Sequence, residues 1–154
     1  KVSDGRVPFM NQVMASFLQV IRTVELSEKR VLLGYLAELV PIVGDRIGNY
    51  LPSIFEAIGK IWQETRPQAV TTDNVNVILA LLTLMEEISK YHQDPMSSFL
   101  CDSLPVILGL LHGHASEQQV VILKVLHSLV VFGHALGNFL HLVIPALVRL
   151  CDEE

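Results

Sequence analysis

Apolar residues recur along this chain with one spacing. Ile47, Leu51, Ile54, Phe55, Ile58, Ile61 and Trp62 stand at i, i+4, i+7, i+8, i+11, i+14 and i+15. That series lines one side of a 3.6-residue helix. Its first five places recur at Met10, Met14, Phe17, Leu18 and Ile21, and at Leu32, Leu36, Leu39, Val40 and Val43. They recur at Val77, Leu81, Leu84, Met85 and Ile88, and at Leu100, Leu104, Ile107, Leu108 and Leu111. Ile122, Leu126, Leu129 and Val130 form a shorter match, and Leu136, Leu140, Val143, Ile144 and Leu147 the last. The pattern predicts seven helices, over residues 8–24, 27–43, 47–64, 73–91, 95–111, 116–132 and 136–151.

Polar punctuation falls between the series. Pro8 opens the first helix, and Gly44 suits a left-handed cap after the second. Thr72 or Asp73 can cap the fourth, and Asp94 the fifth, with Pro95 at its first helical position. Gly109 lies in the last turns of the fifth, which His112-Gly113-His114 ends. Ser116-Glu117-Gln118-Gln119 reads as a capping box for the sixth. The longest loop is residues 66–72. Short turns at residues 44–46, 92–94 and 133–135 join helices two to three, four to five, and six to seven, which makes antiparallel hairpins. The hairpins start near Ser27, Asp73 and Ser116, at intervals of 46 and 43 residues. Those intervals fit a HEAT/armadillo-like superhelix. The expected fold is therefore all-α, an α-solenoid of about seven helices forming a single segment over residues 1–154.

A second motif repeats within the hairpins. Phe99-Leu100 precedes Leu104-Pro105-Val106-Ile107-Leu108, and 40 residues on Phe139-Leu140 precedes Ile144-Pro145-Ala146-Leu147-Val148. Tyr50-Leu51-Pro52-Ser53-Ile54-Phe55 is a looser copy. A proline inside a helix removes a backbone bond and bends the axis, so Pro105 and Pro145 are expected to curve the stack. Pro52 can equally mark a helix start. Helices four and six are apolar on nearly every side and should lie inside, while the first and last each lack a stacking neighbour.

Composition narrows the function classes. The chain has 154 residues, 51% of them apolar, and a net charge of -5. A compact domain of that size buries roughly 68–70% of its unfolded surface. No basic run offers a nucleic-acid or anionic-membrane surface. The nearest approach to a membrane span, residues 120–132, is interrupted by Lys124, His127 and Ser128. No signal peptide is visible. With Lys1 at its start and Asp152-Glu153-Glu154 just after a helix, the chain reads as a piece of a longer protein. Cys101 and Cys151 are too few for a disulfide framework and are expected to be small buried thiols.

Candidate chemistry is sparse. His127, His134 and His141 are spaced by sevens, but Gly133 and Gly137 interrupt the helix between them. His112 and His114 flank Gly113, and no Cys, Asp or Glu completes a zinc set. Glu86-Glu87 and Glu117 read as solvated helix faces, and Asp45-Arg46 as a helix-turn ion pair. Ser97-Ser98 has no partner histidine at a defined spacing, and no phosphate loop or G-x-S-x-G occurs. Met10, Met14, Phe17 and Trp62 are expected to be core, with a binding groove as the other reading. The sequence assigns no catalytic, cofactor-binding or metal residue, no cofactor and no small-molecule substrate. Nucleic acid and membrane insertion are not expected, and protein partners are.

Several stretches resemble one family. Pro8-Phe9-Met10-Asn11-Gln12-Val13, then Phe17-Leu18-Gln19-Val20-Ile21-Arg22, and Leu33-Gly34-Tyr35-Leu36 resemble the middle HEAT-repeat region of target-of-rapamycin kinases. So does Phe132-Gly133-His134-Ala135-Leu136, continuing from Phe139 to Leu150. The likeness runs along most of the chain and is weakest at residues 66–74 and 112–119. It implies a parent serine/threonine kinase of the phosphatidylinositol-3-kinase-related class, with its catalytic domain far C-terminal to this segment. None of that family's ATP, magnesium or rapamycin-binding motifs is present here. The resemblance implies a non-catalytic scaffold in the cytoplasm, peripheral at endomembranes within a larger complex. Its implied partners are the rest of the parent chain, a second kinase protomer and an adaptor subunit. A HEAT adaptor of another class, a nuclear transport receptor or phosphatase scaffold, is the alternative.

Overall fold

A computed structural model describes residues 3–65, 71–112 and 119–152. Among them the fold is all-α, with no strand. The helices are α1 (Ser3–Thr23), α2 (Leu26–Val43), α3 (Leu51–Thr65), α4 (Thr72–Tyr91), α5 (Gln93–Gly109), α6 (Gln119–Phe132) and α7 (Leu140–Asp152). Short 3-10 segments, Gly44–Tyr50 and Gly133–Phe139, lead into α3 and α7, and Leu110–His112 follows α5.

The helices form two layers. α2, α4 and α6 pack side by side in the first, and α1, α3, α5 and α7 in the second. Each hairpin contributes one helix to each layer, an arrangement consistent with a helical solenoid. One core runs between the layers. The first-layer helices bury the same five places, i, i+4, i+7, i+8 and i+11. These are Lys29, Leu33, Leu36, Ala37 and Val40 in α2. They are Val77, Leu81, Leu84, Met85 and Ile88 in α4, and Val121, Val125, Ser128, Leu129 and Phe132 in α6.

The apolar spacing locates the buried faces of α3, α4 and α5, where all or nearly all named residues are buried. It misplaces two faces, and in the last series Leu140 and Ile144 are exposed. In α2 the core takes Leu33 rather than Leu32, with Lys29 at its first place. In α6 it is shifted one residue, and Val130 is 79% exposed. Both helices carry adjacent apolar residues, so periodicity alone cannot choose between neighbouring faces. Polar partners choose instead. Lys29 Nζ lies 2.5 Å from Glu64 of α3, and Ser128 Oγ reaches Glu86 of α4.

Helix ends also differ from expectation. Thr71 rather than Thr72 or Asp73 caps α4, accepting from Asn74 N–H at 3.2 Å. Asp94 and Pro95 sit inside the first turn of α5. The expected sixth-helix capping box lies largely outside the described residues, as do His114, Glu117 and most of the 66–72 loop. Pro52 is the second residue of α3 and so marks a start. Pro105 and Pro145 lie inside α5 and α7, and Pro41 inside α2, each leaving the carbonyl four residues earlier without its helical donor.

The two long 3-10 segments share a pattern, Gly-x-x-Ile/Leu-Gly-Asn-aromatic-Leu, from Gly44 to Leu51 and from Gly133 to Leu140. Both leading glycines have positive φ, 63° and 46°. Gly44 has ψ of -133°, outside the left-handed helical region. A buried apolar residue anchors each connection: Ile47, Leu136 and, at the start of α5, Met96. The connections also touch one another. His92 Nε2 lies 3.2 Å from the Gly44 carbonyl, Ser97 Oγ donates to the Ala135 carbonyl at 3.3 Å, and Phe55 stacks on Phe99 at 4.4 Å.

Candidate interaction surface

Large apolar side chains left in solvent are concentrated at the two ends of the stack. Fourteen are exposed among the described residues, and all but Tyr91 lie on α1, α2, α6 or α7. At one end the exposed residues are Phe9, Val13 and Val20 of α1 and Val31, Tyr35 and Ile42 of α2. At the other they are Val120, Leu123 and Val130 of α6 and Leu140, Leu142, Ile144 and Val148 of α7. The repeated core places explain this. α4 has a first-layer neighbour on each side and additionally buries Asn74, Leu82, Glu86 and Ser89. α6 has a first-layer neighbour on one side, and Val130, its counterpart to Glu86, stays open. Exposed apolar side chains concentrated in this way mark interaction sites.

Shallow grooves run between second-layer helices. One of about 250 Å³ lies between α3 and α5, lined by Gly59, Trp62, Phe99 and Val106 among others. Another of about 290 Å³ lies between α5 and α7, lined by Pro105, Leu108, Pro145 and Arg149 among others. Trp62 itself is core, 5% exposed, and its Nε1 has no hydrogen-bond acceptor among the described residues. Met14 is buried, whereas Met10 and Phe17 are half-buried, and Phe17 lines an open apolar furrow with Phe9, Val13 and Val20.

The charged cluster with the most donors lies inside the first layer. Glu86 is 4% exposed. It accepts from Ser128 Oγ at 2.6 Å, His127 Nδ1 at 3.0 Å and Lys124 Nζ at 3.1 Å, all on α6. Burial pushes the Glu86 carboxyl up, but the three hydrogen bonds and the Lys124 charge outweigh it, so it titrates below its ordinary value. Glu86 is therefore no solvated face. A signal for it exists in the sequence: Lys124, His127 and Ser128 interrupt an otherwise apolar helix at i, i+3 and i+4, and a polar stripe on a packed apolar helix requires a polar partner. Glu87, by contrast, pairs at the surface with Lys90 at 2.7 Å, which raises the lysine.

The other candidate groups do not converge. His134 and His141 are exposed, His112 is half-buried, and His127 serves Glu86. No three His, Cys, Asp or Glu side chains come together among the described residues. Asp45 and Arg46 are exposed and form no ion pair with each other. Ser98 Oγ donates to the Asp94 carbonyl within α5. Cys101 and Cys151 are exposed rather than buried, because the core faces of α5 and α7 point the other way.

Two stretches, Gln93–His112 and Gln119–Asp152, are long and apolar enough by composition to cross a membrane, contrary to the sequence expectation. The second is broken by the 3-10 segment at Gly133–Phe139, so neither α6 nor α7 alone has the roughly 20 residues of a span. The apolar residues of the first face the core.

No family model matches the chain, and no solved structure matches it. Curated relatives do. The chain is 30% identical to the serine/threonine-protein kinase mTor of Drosophila melanogaster over 147 residues, 96% of this chain. It is 30% identical to the serine/threonine-protein kinase TOR of Arabidopsis thaliana over 149 residues, 95% of this chain. It is 28% identical to the serine/threonine-protein kinase tor1 of Schizosaccharomyces pombe over 146 residues, again 95%. The chain spans only about 6% of the length of these relatives. None of the three is a transport receptor or a phosphatase scaffold. End-to-end similarity to relatives from an insect, a plant and a yeast places this chain in the target-of-rapamycin kinase family, as a segment of such a protein.

Proposed function

We propose that this segment is a non-catalytic HEAT-repeat scaffold within a target-of-rapamycin-like protein kinase. The observation that carries the reading is the concentration of exposed apolar side chains on the first two and last two helices. A repeat stack whose end faces are apolar is built to be continued or covered, since terminal repeats that meet water need a polar outer face. The matched stretch is a small fraction of its kinase relatives, which supports a role apart from their catalytic chemistry. Its neighbours would be the rest of the parent chain, and its surface would serve a second kinase protomer and an adaptor subunit. Its mechanism is geometric. It holds these bodies in register in the cytoplasm during growth signalling and supplies no reacting group.

The reading is tested in the full-length parent carrying Leu123→Lys and Val130→Lys. Both positions are open here, at 66% and 79% exposure, so neither substitution disturbs the segment's own core. The scaffold reading expects a smaller assembled complex by light scattering, with phosphorylation of a short peptide substrate retained. Intact assembly with lost phosphorylation would contradict it and point to a direct catalytic contribution.

A further inference from the structure

The two joints between first-layer helices differ in chemistry. The shared core places put Glu86 of α4 level with Glu38 of α2 and Val130 of α6. They put Lys124, His127 and Ser128 of α6 level with Ala80, Thr83 and Leu84 of α4. At the α2–α4 joint, Glu38 therefore meets no cation or ring nitrogen at the equivalent places, and it is exposed. At the α4–α6 joint a buried carboxylate takes three donors from one helix. The second-layer side of the same joint is held differently. There Ser97 donates to the Ala135 carbonyl, and Ala135 and Leu136 are buried where the 3-10 segment packs on α5.

We propose that the α4–α6 joint is a charge-operated hinge. Ionised Glu86 docks α6 on α4, and neutralising it lets the third hairpin swing about the Ser97–Ala135 contact. The physical reason is that the joint's specificity resides in one charge. An uncharged side chain of the same size still accepts from Ser128. It leaves Lys124, whose side chain is half-buried at 22% exposure, without a counter-charge, because Glu86 is that lysine's ion-pair partner among the described residues. A partly desolvated charge that loses its partner gains from fuller contact with water, which opening of the joint supplies. The other charged groups near the carboxylate on α4 are Glu87, the next residue, and Lys90, one turn on, and they pair with each other. The α2–α4 joint, being apolar, has no such dependence.

The chain carries its own reporters. Cys101 on α5 and Cys151 on α7 are both exposed, one on each side of the joint. Spin labels on these native cysteines give the distance distribution between the second and third hairpins. The proposal expects Glu86→Gln to widen that distribution at least twofold, and Lys124→Met to do the same. Amides of α6 should exchange with deuterium at least tenfold faster in both variants, while those of α2 stay unchanged. An unchanged distribution in both variants overturns the hinge. So does equal acceleration in α2, α4 and α6, which would mean plain loss of stability. Failure of both variants to fold also overturns it, since a hinge must open without unfolding the stack.

Discussion

Glu86 gathers three side-chain donors, more than any other side chain among the described residues. Its carboxyl titrates below its unfolded value because donors from α6 favour the ionised form. A depressed carboxyl adds stability that is present above the unfolded pKa and is lost as pH falls through the folded one. The melting temperature should therefore drop on acidification below roughly pH 4.3. Glu86→Gln should cost about 1–3 kcal/mol at neutral pH, a loss borne by the α4–α6 joint rather than by α2, and shrink the acid loss. A variant that tracks the native chain across the whole pH range would refute the assignment. Leu104 tests the apolar side of the account. It is fully buried, so Leu104→Asp leaves a carboxylate unpaired in the core and should cost at least about 3 kcal/mol. A thermal melt unchanged by that substitution would remove Leu104 from the core. Residues of this apolar kind were legible from spacing alone. Lys29 was not, because a polar group becomes core only when a distant helix supplies its partner; for Glu86 and Ser128 the one signal is the polar stripe of α6, which shows that a partner is needed and not which one.

Individual helices follow local rules with two kinds of exception. Long amphipathic series such as those of α3 and α5 fix their buried face, whereas α2 and α6 are ambiguous by one residue because adjacent positions are both apolar. The leads into α3 and α7 were read as regular helix or turn. They are 3-10 segments, set by a glycine with positive φ at each start. Glycine substitutions separate backbone strain from packing here. No atom lies within 4 Å of a β-carbon built on Gly44, Gly133 or Gly59. Gly44→Ala and Gly133→Ala should each destabilise by about 1–2 kcal/mol through strain alone. Gly59→Ala, in the middle of α3 with room to spare, should stabilise by about 0.5–1 kcal/mol. Chemical denaturation of the three variants checks both signs, and a loss at Gly59 would mean that its helix face is more crowded than described.

At the scale of the whole molecule, the layered stack follows from seven similar helices that cannot bury their apolar faces alone. The sequence announced that architecture and the open first and last helices, but it placed helix six inside, where Val120, Leu123 and Val130 are exposed. It did not show which side of α6 is left open, since that required knowing which side of an all-apolar helix α4 occupies. On the proposed function, both end faces are covered in the parent kinase. Hydrogen–deuterium exchange tests this, comparing this segment alone with the same residues inside the full-length protein. Amides of α1, α2, α6 and α7 should be markedly better protected in the parent, while those of α4 and α5 exchange alike in both. Equal protection of the end helices in the two settings would contradict it.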